Sequence, residues 1–303
     1  MSNPATEKHH FWTGFCLVLL GALGFSAKAI IIKLAYAADA EVDAITLMAL
    51  RMLFSLPFFL LVAIWHNKKS GMNPLDRQQW LVIVALGLIG YYVSSYLDFT
   101  GLNYISAGLE RIILFLYPTF VVLFSALVYK RKITAQTSLA LILSYSGMIL
   151  VFIEQLSSTS SAIWLGSALV LGSAVVFACF TMGSGVMTHR IGSTRFTAYT
   201  MTVASIATLV HFVIRHGITP IHFTAEVYGL ALIMAIFSTV LPAFFMNAGI
   251  RRIGAGKASI ISTTGPISTL VLAFIILHES ITISQLAGTL LVLAGAYRVS
   301  RIK

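Results

Sequence analysis

The chain is short of charge. Only 10% of its 303 residues are Asp, Glu, Lys or Arg, while 58% are hydrophobic; a soluble domain carries about 25% charged residues. What charge there is must gather in short connectors. Acids are scarcest, 10 Asp and Glu against 20 Lys and Arg. Cysteine is nearly absent: Cys16 and Cys179 stand in apolar runs, where a disulfide or metal site would need partners that the sequence does not offer. Packing accounts for them, and no metal or cofactor is expected. There is no Gly-rich phosphate loop followed by Lys and Ser or Thr, so any driving force must come from gradients or a partner subunit. Nor is any gap between apolar runs long enough for a folded aqueous domain. One membrane domain is the expected whole.

What the chain does have is apolar runs of about twenty residues, enough to cross a hydrocarbon layer of roughly 30 Å. They predict an all-α polytopic membrane protein with ten transmembrane helices, over about 12–33, 44–65, 79–97, 107–129, 135–153, 163–186, 195–214, 226–247, 257–277 and 283–299. The first run, Trp12 to Ile32, is longer than a signal-peptide core and ends in no small-residue cleavage site, so it is expected to remain in the mature protein. Both tails and the even-numbered gaps hold the basic residues, among them Lys68, Lys69, Lys130, Arg131, Lys132, Arg190, Arg251 and Arg252. The odd-numbered gaps hold Asp39, Glu41, Asp43, Asp98, Glu154, Glu226 and Glu279, with Arg215 as the basic exception. By the positive-inside rule both termini are cytoplasmic and the protein is a multi-pass component of the plasma (bacterial inner) membrane. Topology and anionic head groups then explain the net charge of +10 without a nucleic-acid partner.

The sequence also repeats itself. A shift of 148 residues lays Gly101–Gly108 over Gly249–Gly256, Ile112 and Ile113 over Ile260 and Ile261, and Pro118 over Pro266. Upstream, a shift of 152 lays Trp12 and Gly14 over Trp164 and Gly166. Leu and Val matches between apolar helices mean little, but paired Trp, Gly and Pro at constant shift mean much. The halves are 12–153 and 163–299, five helices each. An odd number forces the second half to enter the membrane from the opposite side, the inverted repeat common among secondary transporters, with a substrate site near midplane.

Within the spans, Pro118 and Pro266 each remove a backbone hydrogen bond and should bend helices 4 and 9 at matching depth, with Gly265 loosening the second bend further. A hinge and a static kink both fit. Lys28, Arg51, Glu110 and Arg111 lie inside spans at comparable depth, and Asp98 lies just above them. Charges at such depth face a cavity or a partner. One reading is a pathway for a zwitterion; the other is mutual salt bridges with snorkelling. A second constellation combines rings with polar edges, Tyr92, Tyr117, Trp164, Phe177 and Phe245, with Asn247, Thr263 and Thr264, and suits an amphipathic organic solute better than a bare ion. Tyr91 and Tyr96 read as interfacial belt residues. Gly147 with Ser144, and Gly288 with Gly295, form close-packing faces that join either the halves or two protomers, so monomer and homodimer both stay open. An intramembrane enzyme would need a nucleophile and base at one depth, and His211 with scattered serines offers no such pair.

From Pro266 the chain continues to Leu277-His-Glu279-Ser-Ile-Thr282, then Gln285-Leu-Ala-Gly288 and Gly295. This resembles the end-of-repeat signature of the drug/metabolite transporter superfamily, in its ten-helix members built from two EamA-type repeats. The first half has Pro118 and Gly147 at the same spacing but Arg131 where Glu279 stands. Overall likeness and the aromatic lining resemble the YddG-type exporter group. That resemblance implies a secondary transporter exporting aromatic or other neutral amino acids by alternating access, with other small metabolites or cationic drugs as the alternative. Small multidrug pumps use an acid in helix 1, where this chain has Lys28, which argues against a close copy.

Overall fold

The computed structural model describes residues 4–70, 74–128, 130, 135–156, 161–217, 222–253, 258, 261–262 and 264–301, and among them there is helix but no strand. α1 is Pro4–Ala38 and α2 Ala44–Ser70. α3 joins Arg77–Gly87, a π-helical stretch Leu88–Val93 and Ser94–Gly101. α4 joins Ala107–Leu114 to Tyr117–Val128. α5 is Ala135–Leu156, α6 Ser161–Ile191 and α7 Ser193–His216. α8 joins Ala225–Ala235, a second π-helical stretch Ile236–Val240 and Leu241–Ile253. α9 is Thr264–Ile276 and α10 Ile283–Arg301.

Seven of these, α1 to α4 and α6 to α8, are long and apolar enough to cross a membrane; α5, α9 and α10 carry the shorter apolar stretches Leu141–Val151, Thr264–Ile276 and Ile283–Gly295. α1 starts eight residues before the expected Trp12, and α6 runs five past the expected 186. Hydropathy marks the slab a helix must cross, and backbone hydrogen bonding carries the helix beyond it.

The break in α4 has a local cause. Pro118 has no N–H to donate to the carbonyl one turn back. The chain answers with a tightened turn at Phe115 and Leu116, where Leu116 N–H reaches the Ile113 carbonyl at 3.0 Å and Thr119 N–H the Leu116 carbonyl at 2.9 Å. Between α6 and α7 the link is a single residue, Gly192, at φ 82°, a conformation open to glycine without the Cβ penalty.

α1 lies along α8 and α9, α2 along α7, α3 along α6, α4 on α6 and α9, and α5 along α10. Missing side chains permit the closest crossings. A Cβ on Gly101 would stand 2.9 Å from the Gly166 carbonyl oxygen, and one on Gly249 3.0 Å from that of Gly14. Gly147 and Gly288 meet in the same way: a Cβ on either would fall 2.5 or 2.6 Å from the other's carbonyl oxygen. The close-packing face read from the sequence therefore joins α5 to α10 within one chain.

Candidate functional site

α1, α3, α4 and α9 bring a charged cluster into the interior. Lys28 on α1 donates to Asp98 Oδ2 on α3 at 2.5 Å, with side chains 16% and 2% exposed. Glu110 on α4 is wholly buried, and the charges of Asp98, Lys28 and Arg111 all reach its carboxyl. Arg111, also buried, donates from Nη2 to Ser26 Oγ on α1 at 3.2 Å. Ser26 Oγ in turn donates to the carbonyls of Ala22 at 2.7 Å and Gly265 at 3.0 Å. Arg51 on α2 is buried as well, its guanidinium 4.8 Å from the Phe99 ring centroid and 3.3 Å from Ser95 Oγ, and its Nε has no hydrogen-bond partner among the described residues.

Proximity in sequence does not produce this cluster. Glu110 falls in the first turn after Ser106, which caps α4 by accepting from Leu109 N–H at 3.2 Å, and Arg111 follows it directly. Adjacent helical positions point about 100° apart, so one side chain turns toward α3 and the other toward α1 and α9. Among the described residues Nε of Arg111 has no hydrogen-bond partner, and Oδ1 of Asp98 and both oxygens of Glu110 have none but each other's carboxyl. A buried polar atom in that condition costs about 1–3 kcal/mol, so the cluster is built at a thermodynamic loss unless something else meets it.

The sequence-predicted aromatic residues divide. Tyr117 packs edge-on against Phe177, centroids 5.2 Å apart, and its hydroxyl feels the Arg111 charge. Phe177 continues to Phe180, and Phe180 to Tyr91 and Phe196. This ring stack adjoins the charged cluster. Tyr92 sits apart from that stack, its hydroxyl 2.8 Å from His211 Nδ1 on α7. Trp164 is 57% exposed near the start of α6. Phe245 is half-buried on α8, Asn247 donates to Thr197 Oγ1 at 3.4 Å, and Thr264 donates to the Ile261 carbonyl at 2.8 Å. Thr263 lies outside the described residues.

The residues of both predicted bends adjoin the site. Gly265 and Pro266 are buried, and the Gly265 carbonyl is part of the Ser26 network that holds Arg111. Pro118 follows Tyr117 directly. Sequence reading missed Ser26, which ties α1, α4 and α9 together, and it gave no role to His211 or Glu279. Glu279 accepts from the amides of Ala107 and Gly108 at the start of α4. A serine two residues before Lys28 is a weak sequence signal. The acid in the α9–α10 turn was visible, but its partner was not.

Across known proteins the chain matches the EamA-like transporter family twice, over residues 12–153 and 164–301. The chain belongs to the EamA-like transporter family. It is similar to the uncharacterized transporter YcbK of Bacillus subtilis (strain 168), 33% identical over 279 residues, covering 91% of this chain and 88% of that one. It is also similar to the uncharacterized transporter sll1319 of Synechocystis sp., 25% identical over 304 residues and covering 92% and 90%. A solved crystal structure superposes with a TM-score of 0.63 at 15% identity, covering 96% of each chain; this is a likeness of fold. Membership makes this EamA-family protein a multi-pass membrane transporter of a small solute, in contact with lipid.

Proposed function

We propose that the protein is a secondary active transporter that exports amino acids, aromatic or other neutral, across the bacterial inner membrane by alternating access, with both termini in the cytoplasm. The observation that carries the solute class is the company these atoms keep: three carboxyl oxygens of Glu110 and Asp98, with only each other's carboxyl as partner, beside a guanidinium N–H of Arg111, in one buried cluster. An ammonium brings three donors to the oxygens and a carboxylate accepts from the guanidinium, so a zwitterion meets both needs at once. The Tyr117 and Phe177 rings beside Arg111 suit an apolar side chain. Cationic drugs fit less well, because Lys28 occupies the α1 face of the cluster.

Ten spans in two inverted halves underlie the alternating-access part of the proposal. Four observations support them. The family matches once in each half. The π-helical stretches start at Leu88 and Ile236, 148 residues apart, each after an eleven-residue helical segment. The Gly101–Gly166 crossing is matched by Gly249–Gly14. The α1 contacts with α8 and α9 are matched by those of α6 with α3 and α4. Two similar halves can pack in two near-equivalent ways, one open to each side.

Counterflow in proteoliposomes tests the proposal. Vesicles preloaded with an unlabelled amino acid are expected to take up the labelled form saturably and with trans-stimulation. Absence of counterflow with every amino acid tested contradicts it, and uptake that neither saturates nor responds to the trans pool makes the protein a pore.

A further inference from the structure

The turn between α9 and α10 closes the start of α4. Glu279 Oε1 accepts from Ala107 N–H at 3.1 Å and Oε2 from Gly108 N–H at 3.4 Å, across a separation of 172 and 171 residues. With Ser106 taking Leu109 N–H, the first three amides of α4 are satisfied, two of them by a distant side chain. A carboxylate is the fitting partner there, since the helix dipole and the free amides both favour negative charge. Lys33 on α1 stands within reach of the same carboxylate, so three parts of the chain converge on Glu279.

The turn that carries Glu279 is bonded on both sides. His278 holds φ at 54°, a left-handed conformation uncommon outside glycine. The amides of Leu277 and Glu279 both reach the Ala273 carbonyl, at 3.0 and 3.2 Å. On the far side Thr282 and Gln285 cap each other at the start of α10, at 3.1 and 3.3 Å. Glu110 and Arg111 follow Gly108 by two and three residues, less than one helical turn. Whatever moves the start of α4 moves them.

Resting on the transporter reading above, we propose that Glu279 is a positioning residue that latches one of the two gates. While its carboxylate holds the α4 amides, α4 is closed over the charged cluster from the face of the α9–α10 turn. When the bonds release, the start of α4 swings away and that face opens. In sequence this latch has no carboxylate counterpart in the other half. The residue 148 positions earlier is Arg131, outside the described residues, and a guanidinium has no atom with which to accept an amide N–H. The protein therefore favours the state closed on the Glu279 face.

Site-directed labelling tests this without any solute. Cys16 and Cys179, both exposed, are replaced by alanine, and the buried Ser26, bonded to Arg111, becomes the reporter through Ser26→Cys. In a separate chain, Ser280→Cys at the exposed turn residue identifies the face. A membrane-impermeant maleimide is then applied to either side of reconstituted vesicles. Glu279→Ala is expected to speed labelling of Ser26→Cys about tenfold from the Ser280 face alone, the effect of losing a charge-assisted bond pair. Glu279→Gln, which keeps one acceptor oxygen, falls between, and serves alone if the alanine variant does not fold. Glu226→Gln, an exposed acid in the first turn of α8, keeps the parent rate. Equal labelling in parent and Glu279 variants overturns the proposal. So does a rise of equal size from both faces, which is general loosening. A counterflow failure would leave this result standing, and a negative result here would leave the solute reading standing.

Discussion

Replacing Gly288 by alanine should unsettle the α5–α10 crossing. The added Cβ would lie 2.6 Å from the Gly147 carbonyl oxygen, whereas ordinary contact begins near 3.4 Å. Val151 Cγ2 stands nearer still, but the carbonyl is backbone on the opposing helix, so no rotamer change relieves the clash. α5 and α10 must part by close to an ångström. Overpacking of this kind costs about 1–3 kcal/mol, and parting the helices forfeits a quarter to a half of each displaced dispersion contact. Taking about 3 kcal/mol and about 2–4 °C per kcal/mol for a chain of this order of size, the melting temperature falls by roughly 6–12 °C. The assay is intrinsic-fluorescence melting in detergent. Gly185→Ala is the matched control, because a Cβ there meets nothing within 4 Å; helix propensity alone should leave it unchanged or raise it by about 1 kcal/mol. A Gly288→Ala protein that melts with the parent would refute the close crossing.

Three further outcomes follow from the geometry. Lys28→Met leaves Asp98 buried without its partner and should destabilise by about 3–5 kcal/mol, while adding Asp98→Asn recovers most of the loss; melting of the single and double variants decides it. Gly265→Ala has room, its Cβ meeting Ser26 Oγ at 3.4 Å and Arg111 Nη2 at 3.6 Å, so stability should hold or rise while turnover in counterflow falls if the residue is a hinge; unchanged turnover makes the bend static. Asp43, just before α2, lies 3.2 Å from Arg215 Nε and from His216 Nε2. Burial works against its charge, yet the bonds from Thr46 and the His216 neighbour hold its carboxyl below the usual range. A depressed carboxylate contributes stability above its unfolded-state titration and loses it as pH falls through the folded one. Melting temperature should therefore fall on acidification below about pH 4, and Asp43→Asn should lower it at neutral pH and flatten that acid limb.

Much of the scaffold was legible because lipid leaves few options: apolar runs had to be helices, and Gly marked the close crossings and Pro118 the break in α4. The π-helical stretches were not legible. Leu88–Val93 reads as ordinary apolar helix, and only its hydrogen-bond register sets it apart. Arg215 looked like an exception to the charge pattern. It is the ion partner of Asp43, so a local pair outweighs the general bias. At the site, the depth of Lys28, Asp98, Glu110 and Arg111 could be read from helix rise, but their pairing depends on which helices adjoin. That is a tertiary fact. Tyr92 illustrates the limit: its chemistry suggested a ligand, while its hydroxyl is engaged by His211 from a helix whose placement no sequence spacing specifies.

Recognition of a zwitterion by a buried cluster of both signs can be measured by counterflow of one neutral amino acid against its methyl ester and its deaminated acid. Arg111 lacks a partner for the ester and Glu110 with Asp98 for the deaminated acid, so the intact amino acid should be preferred over each by about tenfold or more, as loss of a bond to a charged group requires. The preference over the ester should vanish in Arg111→Ala. Equal transport of all three, or a preference that survives loss of Arg111, would contradict the account.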